Sequence, residues 1–243
     1  MPVENERGPM ARGVVGKGGL ALCLSLFMAM ATAAPASAEI AVSQLIVELK
    51  PGASRAADIE IYNDSEERSF VSVEPREIVD AGLDNEKSRL SPDPEKLGLL
   101  VSPTRMVIEP RQRKRLRIAA IGPVLPRERV YRVTVKPVTG DVSGTETGLK
   151  LLIGYDLLVL VRPPASAPNL EVRRSGGMLT IINQGTASVE LAEGKLCDAN
   201  GGGCQSLPSK RLYAGASWQQ DLPLSTGGEY RLRAGDLWTT LRF

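Results

Sequence analysis

The sequence TGLKLLIGYDLLVLVRP, residues Thr147–Pro163, is the longest apolar run beyond the N-terminal leader. Lys150 and Asp156 interrupt it, and it is too short to cross a membrane as a helix. Its first part alternates with the period of two that is typical of a β-strand, whereas Leu157–Val161 is continuously apolar, as in a strand buried on both faces. The stretch therefore predicts one long strand that changes environment halfway along.

The alternating part of this strand presents one apolar face. Its members are Leu149, Leu151, Ile153 and Tyr155. Because the later half already fills the chain's own core, this face is free to contact another molecule. An ordinary core strand with a long apolar edge would give the same pattern, so this stretch alone leaves both interpretations open.

The N-terminus has the features of a secretory signal peptide. Basic residues precede the apolar run Leu20–Ala34, and Ala36-Ser37-Ala38 forms a small-x-small cleavage site. We therefore expect residues 1–38 to be removed on export. The remaining chain holds 27 basic and 26 acidic residues, and this balance gives no footprint for binding a polyanion.

The densest basic segment is Arg111–Arg117, with the sequence RQRKRLR. Such a run could bind phosphates, but Leu116 and Ile118 alternate with Arg115 and Arg117, as they would on a solvated strand face. An exported protein also rarely meets nucleic acid. We therefore predict an exposed strand here and no nucleic-acid partner.

The chain contains no histidine, which excludes Ser-His-Asp and Cys-His catalysis and most metal sites. No Gly-rich phosphate loop is present, and no carboxylates are spaced as an acid–base pair. Asp156, which interrupts an apolar strand, is expected to face solvent or to pair locally.

Cys197 and Cys204 predict a disulfide that closes a hairpin in an oxidising compartment, and without histidine a metal site is a poor alternative. We expect neither an enzyme nor a metal or cofactor.

Short strand-like segments separated by turn signals fill the rest of the chain. In the first part they are Glu39–Glu48, Ala56–Tyr62, Ser69–Pro75, Leu99–Ile108, Arg115–Ile121 and Arg129–Lys136. In the second part they are Leu170–Arg173, Met178–Asn183, Ser188–Ala192, Trp218–Leu222, Tyr230–Arg233 and Trp238–Phe243. Asp80–Gly98 is predicted to be a long loop. The pattern is typical of all-β sandwiches, and no segment beyond the leader has a helical period.

The segment Arg162–Pro168, RPPASAP, is the obvious linker because its three prolines make a stiff, extended connection. We therefore predict an N-terminal domain at 39–162, a linker at 163–168 and a smaller β-sandwich at 169–243. A unit as small as the second has a marginal core, so the disulfide would add to its stability.

A set of short motifs in the processed chain forms a combination found in one known family. They are Tyr62-Asn63-Asp64, Leu100–Pro103, Ile108–Gln112 followed by Leu116–Ile118, Glu128-x-x-Tyr131-Arg132, and Val161-Arg162-Pro163. With the leader, the two sandwiches and the proline-rich elbow, they resemble the PapD-like periplasmic chaperones of chaperone–usher systems. The motif that ends in Tyr-Arg resembles that family's archaic-type branch. The resemblance covers essentially the whole processed chain, the first domain better than the second.

The resemblance implies two immunoglobulin-like β-sandwich domains in a boomerang arrangement, located in the periplasm. It implies that the seventh strand of the first domain is donated to fimbrial subunits that lack a strand, and that the capped subunits pass to an outer-membrane usher without ATP. The donor side chains would be Leu149, Leu151 and Ile153, with Tyr155. The alternative is an exported structural or adhesive sandwich protein of a surface fibre. The internal donor strand before an elbow favours the chaperone.

The chain departs from the family at the anchor for the subunit's C-terminal carboxylate. The family uses an Arg on the first strand and a Lys on the seventh, whereas Val47 and Leu158 stand at those places. Arg132 is our candidate for a displaced anchor, because a guanidinium binds a carboxylate through two parallel hydrogen bonds. A structural pair of Arg132 with Glu128 or Asp156 is an equal alternative.

Two further expectations concern the elbow and the donor edge. Arg162, at the elbow, is expected to brace the two domains against each other. An exposed apolar strand edge is an aggregation liability in a free protein. We therefore expect the free protein to cover this edge by self-association or with residues 137–147.

Overall fold

A computed structural model describes residues 40–52, 55–138, 152–198, 203–222 and 227–243. The predicted leader at 1–38 and two of the predicted donor residues, Leu149 and Leu151, lie outside these ranges. Within them β-strands dominate, and no helix is long and apolar enough to cross a membrane. The predicted all-β, two-sandwich fold class is confirmed.

The first sandwich consists of two sheets. One has four strands in the order β1 (Ile40–Val42), β3 (Ala56–Asn63), β8 (Arg113–Ala120) and β6 (Leu99–Ser102). The other has six strands and follows the order β2 (Ile46–Leu49), β10 (Tyr155–Val161), β9 (Arg129–Val138), β4 (Ser69–Val79) and β5 (Lys87–Arg89), with β7 (Arg105–Ile108) also paired to β4.

The basic run forms strand β8 and keeps its charges on the solvent side. Leu116 and Ile118 are buried, whereas Arg115 and Arg117 are exposed, which is the arrangement that the period of two predicts. Arg117 pairs with Asp58 of the neighbouring strand at 2.9 Å. The arginines of this face therefore take part in cross-strand ion pairs.

Strand β10 has apolar residues on both faces, as its continuous apolar sequence predicts. Leu157, Val159 and Val161 join the core between the two sheets. Leu158 and Leu160 point to the other face and join a smaller buried cluster. The downstream half of this strand therefore belongs entirely to the chain's own interior.

Several segments of the first sandwich differ from the sequence-based predictions. The predicted long strand begins only at Tyr155, and residues 152–154 before it belong to no strand. The predicted strand Leu99–Ile108 is two strands, β6 and β7, in different sheets. The stretch 80–98, predicted as a loop, contains β5 and one helical turn, α1 (Pro94–Leu97). This turn begins at Asp93, whose carboxylate accepts a hydrogen bond from the Glu95 N–H at 3.0 Å, and it ends at Gly98, with φ 79°. The predicted strand 39–48 is broken, because β1 pairs in one sheet and β2 in the other.

The second sandwich also consists of two sheets. One has three strands in the order β11 (Leu170–Ser175), β12 (Met178–Asn183) and β16 (Ser217–Asp221). The other has five strands and follows the order β14 (Cys204–Leu207), β13 (Val189–Cys197), β17 (Gly228–Ala234) and β18 (Leu237–Arg242), with β15 (Lys210–Leu212) also paired to β13.

The predicted disulfide is present in the second sandwich. Cys197 and Cys204 are partners across β13 and β14, with an S–S distance of 2.08 Å and a Cα–Cα distance of 4.1 Å. It therefore closes the hairpin between those two strands.

Candidate functional site

The upstream half of β10 is an open sheet edge. Strand β9 pairs with β10 along Tyr155–Val161, but β2 pairs only with Leu158–Val161 on the other side. Within the described ranges no strand pairs with residues 152–157 on the β2 side. An edge of this kind offers unpaired backbone groups to an extended chain from another molecule.

The hydrogen-bond pattern identifies the backbone groups that face this open side. The Leu158 N–H donates to the Leu45 carbonyl of the adjacent chain at 2.9 Å. Because alternate residues of a strand direct their N–H and C=O groups to opposite sides, Asp156 directs its groups to the open side. Continuing this alternation upstream of β10 places the groups of Gly154 on the same side. Tyr155 and Leu157 direct theirs to β9.

Apolar side chains lie beside the open edge. Ile153 is 47% exposed, and Leu45 and Ile46, 55% and 43% exposed, lie where β2 leaves β10. Tyr155 is placed differently, because its hydroxyl donates to the Ile40 carbonyl at 2.9 Å and its ring packs against the core. Of the two predicted donor residues that the structure describes, only Ile153 is therefore exposed.

Gly154 keeps this edge close to β9. A Cβ atom at this position would lie 3.1 Å from the Val135 carbonyl oxygen and 3.1 Å from the Cβ of Lys136. Glycine therefore lets the chain continue beside β9 without a steric clash.

A row of three residues crosses the outer face of the six-stranded sheet next to the open edge. Arg132 of β9 lies opposite Leu158 of β10 and opposite Arg76 of β4. Because opposite residues of paired strands point to the same face, the two guanidiniums share this surface with Leu158. We call Arg76 and Arg132 the arginine pair.

The arginine pair shares a single carboxylate. Arg76 Nη2 lies 2.8 Å from Asp156 Oδ2, and its Nη1 donates to the Thr134 hydroxyl at 2.6 Å. Arg132 Nε is 3.9 Å from Asp156 Oδ2, so this second contact is looser. The predicted pairing of Arg132 with Asp156 thus exists, but Arg76 holds Asp156 more closely. Two cations against one carboxylate leave an excess of positive charge at this place.

Arg76 was missed by the sequence analysis because no spacing in the sequence relates it to β10. It reaches the site only through the register of three neighbouring strands. The one available signal is that Arg76 follows a strand-like segment that ends at Pro75. That signal does not tell which strands become neighbours.

Tyr213 lies beside this surface. It packs against the small cluster that contains Leu158 and Leu160. Burial raises the pKa of its hydroxyl, while the charges of Arg132 and Arg211 oppose the increase. A cavity of about 180 Å³ lies beside Tyr213 and is lined in part by Asp80. In the part of the chain that the structure describes, no group of three potential ligands could hold a metal ion.

Arg162 lies at the junction of the two sandwiches and is 6% exposed. It contacts Glu48 at 3.1 Å, forms an ion pair with Glu128, and donates to the Ser188 carbonyl at 2.9 Å. Glu128 also accepts a hydrogen bond from the Ser188 N–H at 3.1 Å. Side chains next to β10 therefore directly contact Ser188, which precedes β13 in the second sandwich.

The two carboxylates that contact Arg162 have pKa values shifted in opposite directions, although burial acts on both in the same way. Burial raises the pKa of Glu128, and the opposing charge of Arg162 does not cancel the increase. Burial would also raise the pKa of Glu48, but the hydrogen bond and charge of Arg162 outweigh it, and the pKa is lowered. Arg233, 3.7 Å from Glu48, adds to this lowering.

Comparison with known families gives one match. Residues 39–167 match the family described as pili and flagellar-assembly chaperone, PapD N-terminal domain. No curated protein sequence matches the chain at a significant level.

Several solved structures share the fold. The class 5 fimbriae chaperone CfaA is 20% identical, with a TM-score of 0.64 over 84% of this chain and 97% of its own. A chain in the complex of the Salmonella enterica SafA pilin with the SafB chaperone is 19% identical, with a TM-score of 0.62 over 86% and 98%. A chain in the archaic CsuC–CsuE complex of Acinetobacter baumannii is 13% identical, with a TM-score of 0.58 over 84% and 98%.

Proposed function

We propose that this chain, which belongs to the family of PapD-like pili and flagellar-assembly chaperones, holds fimbrial subunits by adding its β10 edge to them. The observation that carries the proposal is the open side of β10 at Tyr155–Leu157 and of residues 152–154 just before it, where the apolar Ile153 is exposed. Backbone hydrogen bonds from Gly154 and Asp156 would supply affinity, and alternate side chains would fill pockets of the subunit.

The side chains of the donated segment would be Leu149, Leu151 and Ile153. Tyr155 would mark the point where the donated segment joins the chaperone's own core, because its hydroxyl is bound to the Ile40 carbonyl. Each aliphatic side chain that becomes buried contributes about 1.5–3 kcal/mol before the cost of ordering the partners. A subunit capped in this way stays ready to exchange the donated strand for another one, so no ATP is required.

The setting of this activity would be the periplasm. The predicted signal peptide and the Cys197–Cys204 disulfide support an oxidising compartment outside the cytoplasm. An outer-membrane usher would receive the capped subunits.

The test is co-purification from the periplasm with candidate subunits encoded by neighbouring genes. The variant Leu151→Glu places a charge in the proposed donor face, and we expect it to lose the subunit. Leu90→Glu is the matched control, because Leu90 is 69% exposed and follows β5, at the far edge of the same sheet. If the wild type binds no subunit, or if Leu151→Glu binds as well as Leu90→Glu, the proposal fails and a structural protein of a surface fibre becomes the better account.

We propose further that the arginine pair anchors the C-terminal carboxylate of the subunit. Arg132 and Arg76 lie in the same cross-strand row as Leu158, the position that aligns with the family's lysine. Their excess positive charge over Asp156 would accommodate a second carboxylate, bound through a guanidinium fork. Both side chains are about one third exposed and therefore accessible.

This anchor is tested with Arg132→Ala and Arg76→Ala. Each variant should weaken subunit binding by about tenfold or more, because hydrogen bonds to a charged group contribute roughly 1.5–3 kcal/mol. Arg115→Ala removes an exposed arginine from the other sheet and should have no effect. A subunit with an amidated C-terminus should bind the wild type and Arg132→Ala equally well. Equal sensitivity of both subunit forms to Arg132→Ala would reject the anchor.

We propose that residues 39–162 and 169–243 form the two domains and that 163–168 joins them. Two separate buried cores support this division, one in each sandwich. Arg162 would brace the junction through Glu48, Glu128 and Ser188.

A further inference from the structure

The last described strand, β18, is an edge strand with little protection against pairing. It forms one end of its sheet and pairs only with β17 within the described ranges. Its sequence, LWTTLR, carries a charge only at Arg242, whereas β11, an edge strand of the same length, carries three charged residues. Edge strands usually avoid pairing through charges, prolines, bulges or short length. Of these protective features, strand β18 has only one charge, at its end, and it has no proline or bulge.

The free backbone groups of β18 can be assigned. Phe243 and Gly228 exchange two backbone hydrogen bonds of 3.0 Å. Alternation along the strand then directs the groups of Leu241, Thr239 and Leu237 to β17. Trp238, Thr240 and Arg242 direct their N–H and C=O groups outward. An incoming strand would hydrogen-bond to these residues.

The core-facing side of β18 is also incompletely covered. Leu237 is opposite Ala234, on the face that Leu241 shares, yet it is 71% exposed. Thr239 lies on the same face and is exposed as well. The facing sheet has three strands, and the exposure of Leu237 and Thr239 shows that it does not cover this edge. An additional strand beside β18 would shield Leu237 from water.

We propose that β18 pairs in an antiparallel manner with β18 of a second copy of this chain, about a two-fold axis that passes through Thr239. This register places Trp238 opposite Thr240 of the second copy, and both residues have outward backbone groups. It places Leu237 opposite Leu241 of the second copy on the core side. Each of these two pairs forms twice because the interface is isologous.

The charges at the two ends of β18 support a second copy as the occupant. Asp236 precedes the strand and Arg242 ends it, and the proposed register places each beside the other across the interface. Both side chains are exposed, although Asp236 contacts Lys50 and Arg242 contacts Glu229 at 3.3 Å. Parallel pairing would bring like charges together. The sequence is therefore self-complementary only in the antiparallel arrangement.

The test is sedimentation velocity of the exported protein from about 1 µM to about 500 µM. A single edge-to-edge contact buries less area than the roughly 1,200 Å² of a stable interface, so a weak, concentration-dependent dimer is expected. Thr240→Pro removes an outward N–H that makes no bond to β17, and it should weaken the dimer by about tenfold or more. Asp236→Arg and Arg242→Asp should each weaken it, and the double variant should restore it.

The interface at β18 is independent of the proposed subunit edge on β10. Leu151→Glu should therefore leave the dimer unchanged, and Thr240→Pro should leave subunit binding unchanged. A protein that stays monomeric over the whole range overturns the proposal. So does a dimer that Leu151→Glu disrupts and Thr240→Pro does not. A double charge reversal that binds no better than its single variants also overturns it, and this result does not depend on how well Thr240→Pro folds.

Discussion

Each of the two sandwiches uses a buried asparagine side chain to join its two sheets. Asn63 ends β3, and its amide donates to the Glu67 carbonyl at 2.7 Å and to the Ile108 carbonyl of the opposite sheet at 3.0 Å. Asn183 ends β12, and its amide donates at 2.9 Å both to the carbonyl four residues on and to the Leu212 carbonyl of the opposite sheet. Both side chains are fully buried.

The surroundings of the two asparagines differ. Among the described residues, the first sandwich buries twenty-one apolar side chains in its core and the second buries eleven. The first corner has an additional hydroxyl, because Ser65 donates to the Glu67 carbonyl at 2.9 Å. The second corner has Gly185 at the corresponding place, where a Cβ would lie 3.0 Å from Asn183 Oδ1. The comparison shows that the same asparagine hydrogen bonds between sheets occur in a sandwich with a large core and in one with a small core.

The largest expected effect comes from removing these amides. Asn183→Ala leaves buried carbonyls without donors, and we expect a loss of about 3 kcal/mol in the stability of the second sandwich. Asn63→Ala should cost a similar amount in the first. Both tryptophans, Trp218 and Trp238, lie in the second sandwich. In urea, Asn183→Ala should therefore shift the fluorescence transition, whereas Asn63→Ala should shift circular dichroism more than fluorescence. If both variants move both signals equally, the sandwiches unfold as one unit.

A smaller effect is expected from the disulfide. Cys197 and Cys204 are separated by seven positions, and closing a loop of that length stabilises by about 2 kcal/mol in the chain-entropy description. The double variant Cys197→Ser/Cys204→Ser should lower the urea midpoint seen by tryptophan fluorescence. The stability of the first sandwich, followed by circular dichroism, should not change and serves as the internal control. An unchanged fluorescence midpoint would mean that the small core needs no support from this bridge.

The smallest expected effect is on the pH dependence of stability, through the two carboxylates that contact Arg162. The lowered pKa of Glu48 means that its contribution is present above the unfolded value of 4.5 and is lost as pH falls through the folded value. The raised pKa of Glu128 has the opposite sign, so its contribution is present at low pH and is lost as pH rises through the folded value.

The variants Glu48→Gln and Glu128→Gln separate these contributions. Urea midpoints measured on both sides of pH 4.5 should fall less steeply on acidification in Glu48→Gln than in the wild type. Glu128→Gln should instead lose less stability as pH rises. Parallel pH profiles for the wild type and both variants would contradict the assignment.

Much of the fold follows from local pattern, because the period of two identifies the buried face of most strands. Strand β4 shows where this reasoning stops. The sequence predicts its end at Pro75, since proline lacks a donor, yet the strand continues to Val79. Pro75 lies between the segment paired with β7 and the segment paired with β5, so no donor is needed there. Only the tertiary pairing reveals this gap.

The site is predictable to a similar extent. Alternation predicts the apolar face that includes Ile153, and Arg132 is a candidate anchor because a guanidinium can bind a carboxylate through two hydrogen bonds. Arg76 could not be predicted, because its position depends on the register of β4, β9 and β10 together. Nor could the sequence predict that β2 pairs with only part of β10, because a sequence does not show where two paired strands separate.

The central claim is that a subunit pairs with the open side of β10, and amide hydrogen exchange of the chaperone tests it most directly. In a complex with a subunit, the amides of Gly154 and Asp156 should exchange far more slowly than in the free protein. Those of Tyr155 and Leu157, which face β9, should change little. A tight complex in which Gly154 and Asp156 exchange as fast as in the free protein would contradict strand addition.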